Sequence, residues 1–540
     1  MGLPLMRQVL RVGIERVGWR TSAQELLMKR QASLLQHAPM LSTFTATKQA
    51  NDACTTSGTT SSKEPQFSDT TSLFKGQSTG ALLRSWAVFM ACSQPWFVKH
   101  ADSLLTVSKR VIGTQATMGI IKASFFKQFC AGETQQQVET VMEQLHTRGI
   151  GGILDYAAED DVVPVAATPV AATKASRGAP PVPGSCGDQK VGVDVSDLKT
   201  TLTARSYPYA SERACDAHVQ SFLSAIRAAA MAPGQGFAVV KLSACGNPLL
   251  LERMSWAIKQ GCETYRFAHV SLTEEEADDG HSEFRGGRAM VTAMRNRLHT
   301  LAEASAQDGV KLMIDAEQTY LQPAIDHLAQ DMMRIFNRDP KKIRSRGLKG
   351  AVMFNTYQCY RKGTEERLTH DLETAKRDGY VLGVKLVRGA YLEMERARAQ
   401  RMNYPDPIHD TLQDTHDEYA RCTEMLLEAV AKGEAEVLLG THNQQSIVLA
   451  MATMERLKLT SKSPVYFAQL LGMADHLTQA LGAAGFQSYK YLPFGHVQQV
   501  VPYLLRRAHE NASIMQGSKQ DVVLIKTELK RRARAMLGRS

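Results

Sequence analysis

The sequence predicts an α/β protein built as a distorted (β/α)8 barrel of the TIM type with additional N-terminal helices. Three observations carry that expectation: eight short β-rich runs recur along the chain, amphipathic helical stretches separate most of them, and the runs close on polar or aromatic residues. The runs are residues 151–159, 236–244, 310–318, 351–360, 381–391, 437–443, 465–473 and 488–495. Stretches such as SEFRGGRAMVTAMRNRLHTLAEASAQ and HDEYARCTEMLLEAVAKG supply the helical period between them. An open doubly wound sheet is compatible with the same alternation, but eight units in one chain favour closure.

Taken in order, the chain begins with a basic segment. Residues 1–40 carry Arg7, Arg11, Arg16, Arg20, Lys29 and Arg30 against Glu15 and Glu25. Met6, Val9, Leu10, Ile14 and Val17 share one helical face, and a Ser/Thr-rich tract follows. This is the chemistry of a mitochondrial transit segment over residues 1–62; Met6 stands where a myristoylation signal needs Ser or Thr. Residues 63–150 read as an N-terminal helical region. The longest uncharged apolar segment, 85–98, is shorter than the roughly 20 residues of a membrane span and contains Pro95. The barrel is expected over 151–525, interrupted by an Ala/Pro/Gly/Val-rich insertion at 159–198 that is too poor in large side chains to hold a fold. A basic tail, 526–540, closes the chain.

Composition narrows the function. The chain has 540 residues, 44% hydrophobic and 22% charged, which is ordinary globular composition. Its net charge of +10 is scattered, with no basic stripe interleaved with aromatics, so nucleic acid is not an expected partner. Nine Cys form neither a C-x-x-C pair nor a zinc spacing, and no H-E-x-x-H or G-x-S-x-G occurs; neither a metal centre nor a serine-hydrolase elbow is indicated. GIGGIL at 149–154 puts Leu154 where a dinucleotide fingerprint needs its third Gly, so no Rossmann turn is present there.

The candidate site follows from the barrel. The carboxyl ends of barrel strands converge in one bowl, and there the runs place Lys241, Asp315 with Glu317, Gln358, Arg388 with Tyr391, His442 with Asn443, Gln469 and Tyr491. Each has an ordinary explanation: a snorkelling Lys, a core His, a capping Asp. Seven such coincidences at the same end are less economical than one site. After the eighth run, YLPFGHVQQVVPYLLRRAHEN presents Tyr503, Arg506, Arg507 and Glu510 at i, i+3, i+4 and i+7, a single helical face. Two adjacent guanidiniums suit a planar carboxylate, and nearby tyrosines supply an apolar wall. Lys385, Arg388 and Arg507, with His442 and Asn443, could bind a pyrophosphate, while Gln358 and Gln469 could hydrogen-bond a flavin.

DAEQTYLQP (315–323), FNTYQCY (354–360), KLVRGAY (385–391), THN (441–443), FAQLLGM (467–473), YLPFG (491–495) and PYLLRRAHEN (502–511) together resemble the mitochondrial proline dehydrogenase family, in order, from about residue 95 to the C-terminus. The resemblance implies a barrel that holds FAD non-covalently and oxidises L-proline to Δ1-pyrroline-5-carboxylate, with electrons passing to ubiquinone. It implies peripheral association with the inner mitochondrial membrane, on the matrix side. Arg506 and Arg507 would pair with the proline carboxylate, assisted by Lys241, and Tyr391, Tyr491 and Tyr503 would wall the pyrrolidine ring. Asp315 would order the cationic cluster. Gln358, Lys385, Arg388, Gly389, Ala390, Thr441, His442, Asn443 and Glu510 would touch FAD, together with Asp315 and Arg507. A Glu gates the pocket in part of the family, and Glu159 is the nearest candidate here. Members that prefer hydroxyproline carry Ser where this chain has Tyr491, so proline is the expected substrate and hydroxyproline the alternative. A non-flavin barrel enzyme and an inactive interaction protein are the remote alternatives.

Overall fold

The computed structural model describes residues 65–157, 211–231, 234–259, 282–338, 350–513 and 515–538, with the side chains of 282–288 and 509–519 outside that description. The expected leader at 1–62 and the insertion at 159–198, Glu159 included, lie outside the described residues. Eight strands form: β1 Ile150–Tyr156, β2 Phe237–Val240, β3 Lys311–Ile314, β4 Met353–Gln358, β5 Leu382–Val387, β6 Ala435–Gly440, β7 Val465–Leu470 and β8 Ser488–Phe494. Each pairs in parallel with the next, and β8 returns to β1 in register Ile153 to Tyr491, closing the barrel. The runs seen in the sequence extend beyond several strands because their last residues form the loops that carry polar side chains.

Alternation along the strands sorts side chains between two layers. Outward residues such as Ala238, Leu312, Val384 and Leu439 pack under the surrounding helices, Glu212–Met231, Gln322–Phe336, Leu412–Ala431 and Gln444–Arg456 among them. Inward residues begin with an aromatic floor. The Phe237 ring meets those of Tyr489, Tyr466 and Phe354 edge-on, with centroids 4.9, 5.1 and 6.1 Å apart. Gly151 makes room for that floor, since a Cβ there would lie 2.3 Å from the Tyr489 ring. Beside the floor Lys311 Nζ donates to Glu436 Oε2 at 2.8 Å and to the Ala351 carbonyl at 2.8 Å. Both partners are buried, and losing one of such a pair costs about 3–5 kcal/mol because the other charge is left stranded. The floor is therefore a plug, and the space for chemistry is at the opposite, carboxyl end.

N-terminal helices Thr79–Cys92, Pro95–Lys99, Ala101–Val111, Thr114–Ile121 and Gln135–His146 lead to the barrel. Between them the extended segment 130–132 lies along the end of β8: Ala131 N–H donates to the Pro493 carbonyl at 2.8 Å and Gly495 N–H to the Gly132 carbonyl at 3.0 Å. Glu133 then accepts from the Val497 N–H at 2.9 Å, at the start of the helix Val497–Ser513 that carries both arginines. The chain ends in a helix, Met515–Met536, so the run expected as a tail at 526–540 is helical as far as residue 536. Within it Arg532 donates to the carbonyls of Phe74 and Gln77, each at 2.8 Å, tying the two ends of the fold together.

Candidate active site

Counting by two along the strands brings the predicted residues to the mouth. β2 points Phe237 and Val239 into the barrel, so Lys241, just past its end, continues that series. Three predicted residues from three strands meet directly. Lys385 Nζ on β5 donates to Asp315 Oδ1, past the end of β3, at 2.5 Å. The Tyr491 hydroxyl on β8 donates to Asp315 Oδ2 at 3.2 Å, and the Lys385 ammonium lies 4.9 Å from the Tyr491 ring centre. Burial, then the negative charges of Asp155 and Asp315, hold the Tyr491 phenol well above its usual range, so it remains a donor.

Lys241 is buried and acts electrostatically on Glu317. Burial pushes the Glu317 carboxyl up to about 7, against the opposing effects of Ser243, whose N–H donates to it at 3.0 Å, and of Lys241. Gln358, the last residue of β4, donates to the Glu317 carbonyl at 3.0 Å. Asp315, Glu317, Lys241 and Gln358 thus form one polar rim.

A second centre gathers around Arg388. Its guanidinium donates to His416 Nδ1 at 2.9 Å, Thr441 Oγ1 at 2.8 Å and Ser446 Oγ at 2.8 Å, with the Tyr419 ring centre 4.3 Å away. Among the described residues no carboxylate pairs with it, and burial lowers its pKa. Gly389 follows with φ +148°, where a Cβ would sit 2.4 Å from the Tyr360 ring, so the chain there lies flat on an aromatic face. Ala390 is exposed, and Tyr391 is buried where the helix Leu392–Met402 starts. Across from Arg388, Asn443 caps the helix Gln444–Arg456 by accepting from the Ser446 N–H at 3.1 Å. His442 Nε2 accepts from the Leu470 N–H at 3.0 Å, which fixes the proton of the neutral ring on Nδ1. Burial first, then Lys490 and Arg507, push the pKa of His442 down to about 3.

The third centre is the helix Val497–Ser513. Both guanidiniums turn toward Tyr503, with Arg507 5.0 Å and Arg506 5.8 Å from its ring centre. Arg507 is buried and acts electrostatically on His442, which links this helix to the Thr441–Asn443 loop. Glu510 lies on the same helix, but its side chain falls outside those described.

Sequence reasoning missed some members. Asp155 stands two residues beyond the inward Ile153, so alternation alone would have found it. Glu317 appears in the strand-end set but without a role. His416, Tyr419 and Ser446 lie on helices whose sequences signal only amphipathic packing.

The donor set around Arg388 has the chemistry an anionic dinucleotide needs. A half-buried guanidinium without a carboxylate beside it among the described residues, the amino end of a 13-residue helix and an α-carbon pressed to an aromatic face fit a pyrophosphate. Arg388, Gly389 and Asn443, among the residues expected to hold FAD, are of that kind.

Fold and bowl define the class: a (β/α)8-barrel enzyme with its site at the carboxyl ends of the strands. Within it the chain belongs to the proline dehydrogenase family, whose model matches residues 199–520. It is 32% identical over 555 residues to human mitochondrial proline dehydrogenase 1, across 87% of this chain and 90% of that protein. It is 30% identical to the Drosophila melanogaster protein of the same name, across 86% of this chain and 80% of that one. It is also 33% identical to human hydroxyproline dehydrogenase, across 85% of this chain and 92% of that protein. Among solved structures, proline utilization A from Bdellovibrio bacteriovorus superposes with a TM-score of 0.53 at 16% identity, over 84% of this chain and 40% of that longer one. That likeness concerns the barrel fold alone.

Proposed function

We propose that the chain is a flavoenzyme that oxidises L-proline to Δ1-pyrroline-5-carboxylate. The observation that carries this is the presence of two cationic centres in one bowl: Arg388 beside a helix amino end, suited to a dinucleotide, and Arg506 with Arg507, suited to a small carboxylate. FAD, held non-covalently, would supply the two-electron acceptor. Gln358, Lys385, Arg388, Gly389, Ala390, Thr441, His442, Asn443 and Glu510 would hold it.

Arg506 and Arg507 would bind the substrate carboxylate through paired hydrogen bonds, with Lys241 adding positive charge nearby. Tyr391, Tyr491 and Tyr503 would wall the pyrrolidine ring, so that fixing the carboxylate also fixes the ring carbon beside nitrogen. The surrounding cations disfavour a protonated amine and leave the nitrogen lone pair available. Asp315 holds both Lys385 and Tyr491 and so keeps the two halves of the bowl in register.

The relatives named mitochondrial and the basic amphipathic segment at 1–40 support import into mitochondria. There ubiquinone would take the electrons while the protein associates peripherally with the matrix side of the inner membrane. Dye reduction by the flavin-loaded protein, with L-proline and trans-4-hydroxy-L-proline compared, tests the substrate. Proline should be favoured at least about tenfold in kcat/KM, the scale of a hydroxyl forced against a filled apolar pocket. Equal use of the two would place the chain functionally with its hydroxyproline-oxidising relatives.

A further inference from the structure

The helices Ala101–Val111 and Thr114–Ile121 form a hairpin that turns at Gly113, φ +86°, and is pinned by a 2.9 Å hydrogen bond between Ser108 and Thr117. The first helix is amphipathic, yet little of its apolar side is buried. Its sole buried residue is Ala101, while Val107 is 54% exposed and Val111, one turn on, 75%. Ile112 at the turn is 47% exposed and Ile120 on the second helix 60%. Val107, Val111 and Ile112 thus leave apolar side chains exposed over the last turn and the tip of the hairpin, with Ile120 exposed nearer its base.

Charge identifies the occupant. Lys99, Lys109, Arg110 and Lys127 are exposed around these helices, and Asp102 is the one acidic residue between positions 79 and 128. Apolar side chains at a tip, with Lys109 and Arg110 beside them and Lys99 and Lys127 toward the base, fit the boundary between headgroups and acyl chains of an anionic bilayer. A symmetric contact with a second copy would instead press two basic patches together.

Position gives this surface a use. Met118 of the hairpin is buried in one cluster with Ala157, Met473 and Val497, which lie just past the carboxyl ends of β1, β7 and β8, and with Tyr503 of the arginine helix. The hairpin therefore sits at the mouth end of the barrel. We infer that the hairpin tip, Val107, Val111 and Ile112 with Lys109 and Arg110, docks the enzyme on anionic lipid and sets its site mouth beside the bilayer. This rests on the membrane-associated function proposed above and names the surface that performs it. No helix among the described residues is long and apolar enough to cross a membrane, so docking is interfacial.

The test is co-sedimentation of the full-length, flavin-loaded protein with phosphatidylcholine vesicles, with or without phosphatidylglycerol. The wild type should bind the anionic vesicles. The triple variant V107E/V111E/I112E should bind them at least about tenfold more weakly, given three exposed apolar side chains that no longer reach lipid. K109E/R110E should lose the preference for phosphatidylglycerol. Dye-linked proline oxidation should stay unchanged in both variants, because none of these residues lies in the bowl. Unaltered binding by the triple variant beside a binding wild type would overturn the hairpin assignment and leave membrane association standing. A wild type that binds neither vesicle would remove membrane association itself. A dimer lost in the triple variant without any change in vesicle binding would make the hairpin a subunit contact and overturn the inference.

Discussion

The Tyr491 hydroxyl donates to Asp315 Oδ2 at 3.2 Å across the barrel mouth, while the other oxygen of the same carboxylate accepts from Lys385. This contact fixes the tyrosine ring by its far end. That bond favours one position of the ring, so the residue expected to read the 4-position of the substrate ring is held toward the bowl.

Tyr491→Ser should therefore narrow the preference for L-proline over trans-4-hydroxy-L-proline from at least about tenfold toward parity, mainly by weakening proline. Tyr491→Phe keeps the wall but frees its tip, and should retain more of the preference than Ser does. Steady-state kcat/KM for both substrates checks the order. A Ser variant with undiminished discrimination would remove Tyr491 from substrate choice.

If Arg506 and Arg507 form the proposed carboxylate clamp, Arg506→Met and Arg507→Met would each delete a charge-assisted contact worth roughly 1.5–3 kcal/mol, so kcat/KM for proline should fall about ten- to a hundredfold or more. Arg507, which also acts on His442, should lose bound flavin as well. Near wild-type kinetics in both variants would dismiss the carboxylate clamp.

Arg388→Met removes the half-buried cation shared by His416, Thr441 and Ser446. The purified variant should carry substoichiometric flavin, with affinity weakened at least about tenfold for loss of one charge-assisted contact. His416→Ala should produce a smaller loss, since it orients Arg388 without being part of the cation. Flavin-to-protein ratios from absorbance measure both effects, and full occupancy in Arg388→Met would contradict the pyrophosphate assignment.

The legible part of the fold was its periodic part. Eight β runs and their helices could be read because each strand is buried on both faces and each helix on one, and these patterns are local. The polar strand ends were equally local: Asp315, Gln358, Lys385 and Tyr491 all reach the mouth. What could not be read depends on partners far apart in the chain. Glu133 engages Val497, 364 residues away, and Arg532 reaches Gln77, 455 residues away. In the sequence the second of these belongs to a basic run that looks solvated, and no short-range rule identifies the carbonyls it holds. His416 was hidden for the same reason: an amphipathic helix advertises its apolar face, and the polar residue at its edge that meets Arg388 has no periodic signature.

His442 makes stability sensitive to acid. Its folded pKa of about 3 lies below the ordinary value of 6.5, so the unfolded chain binds the proton more readily and stability falls as pH drops from 6.5 toward 3. At about pH 4.5 the contribution is roughly 2–3 kcal/mol, since protonated Nε2 can no longer accept from Leu470. Urea unfolding of His442→Gln against the wild type at pH 7.5 and pH 4.5 should show the variant losing less stability on acidification. Equal losses would mean that the ring is protonated in the folded protein.

The most direct test of the proposed chemistry is an anaerobic titration of the purified protein with L-proline, followed by visible absorbance. The preparation should be yellow with bound FAD, and stoichiometric proline turnover should bleach the oxidised flavin band while Δ1-pyrroline-5-carboxylate accumulates. A colourless protein that cannot be loaded with FAD, or a loaded one whose flavin stays oxidised in saturating proline, would contradict the account.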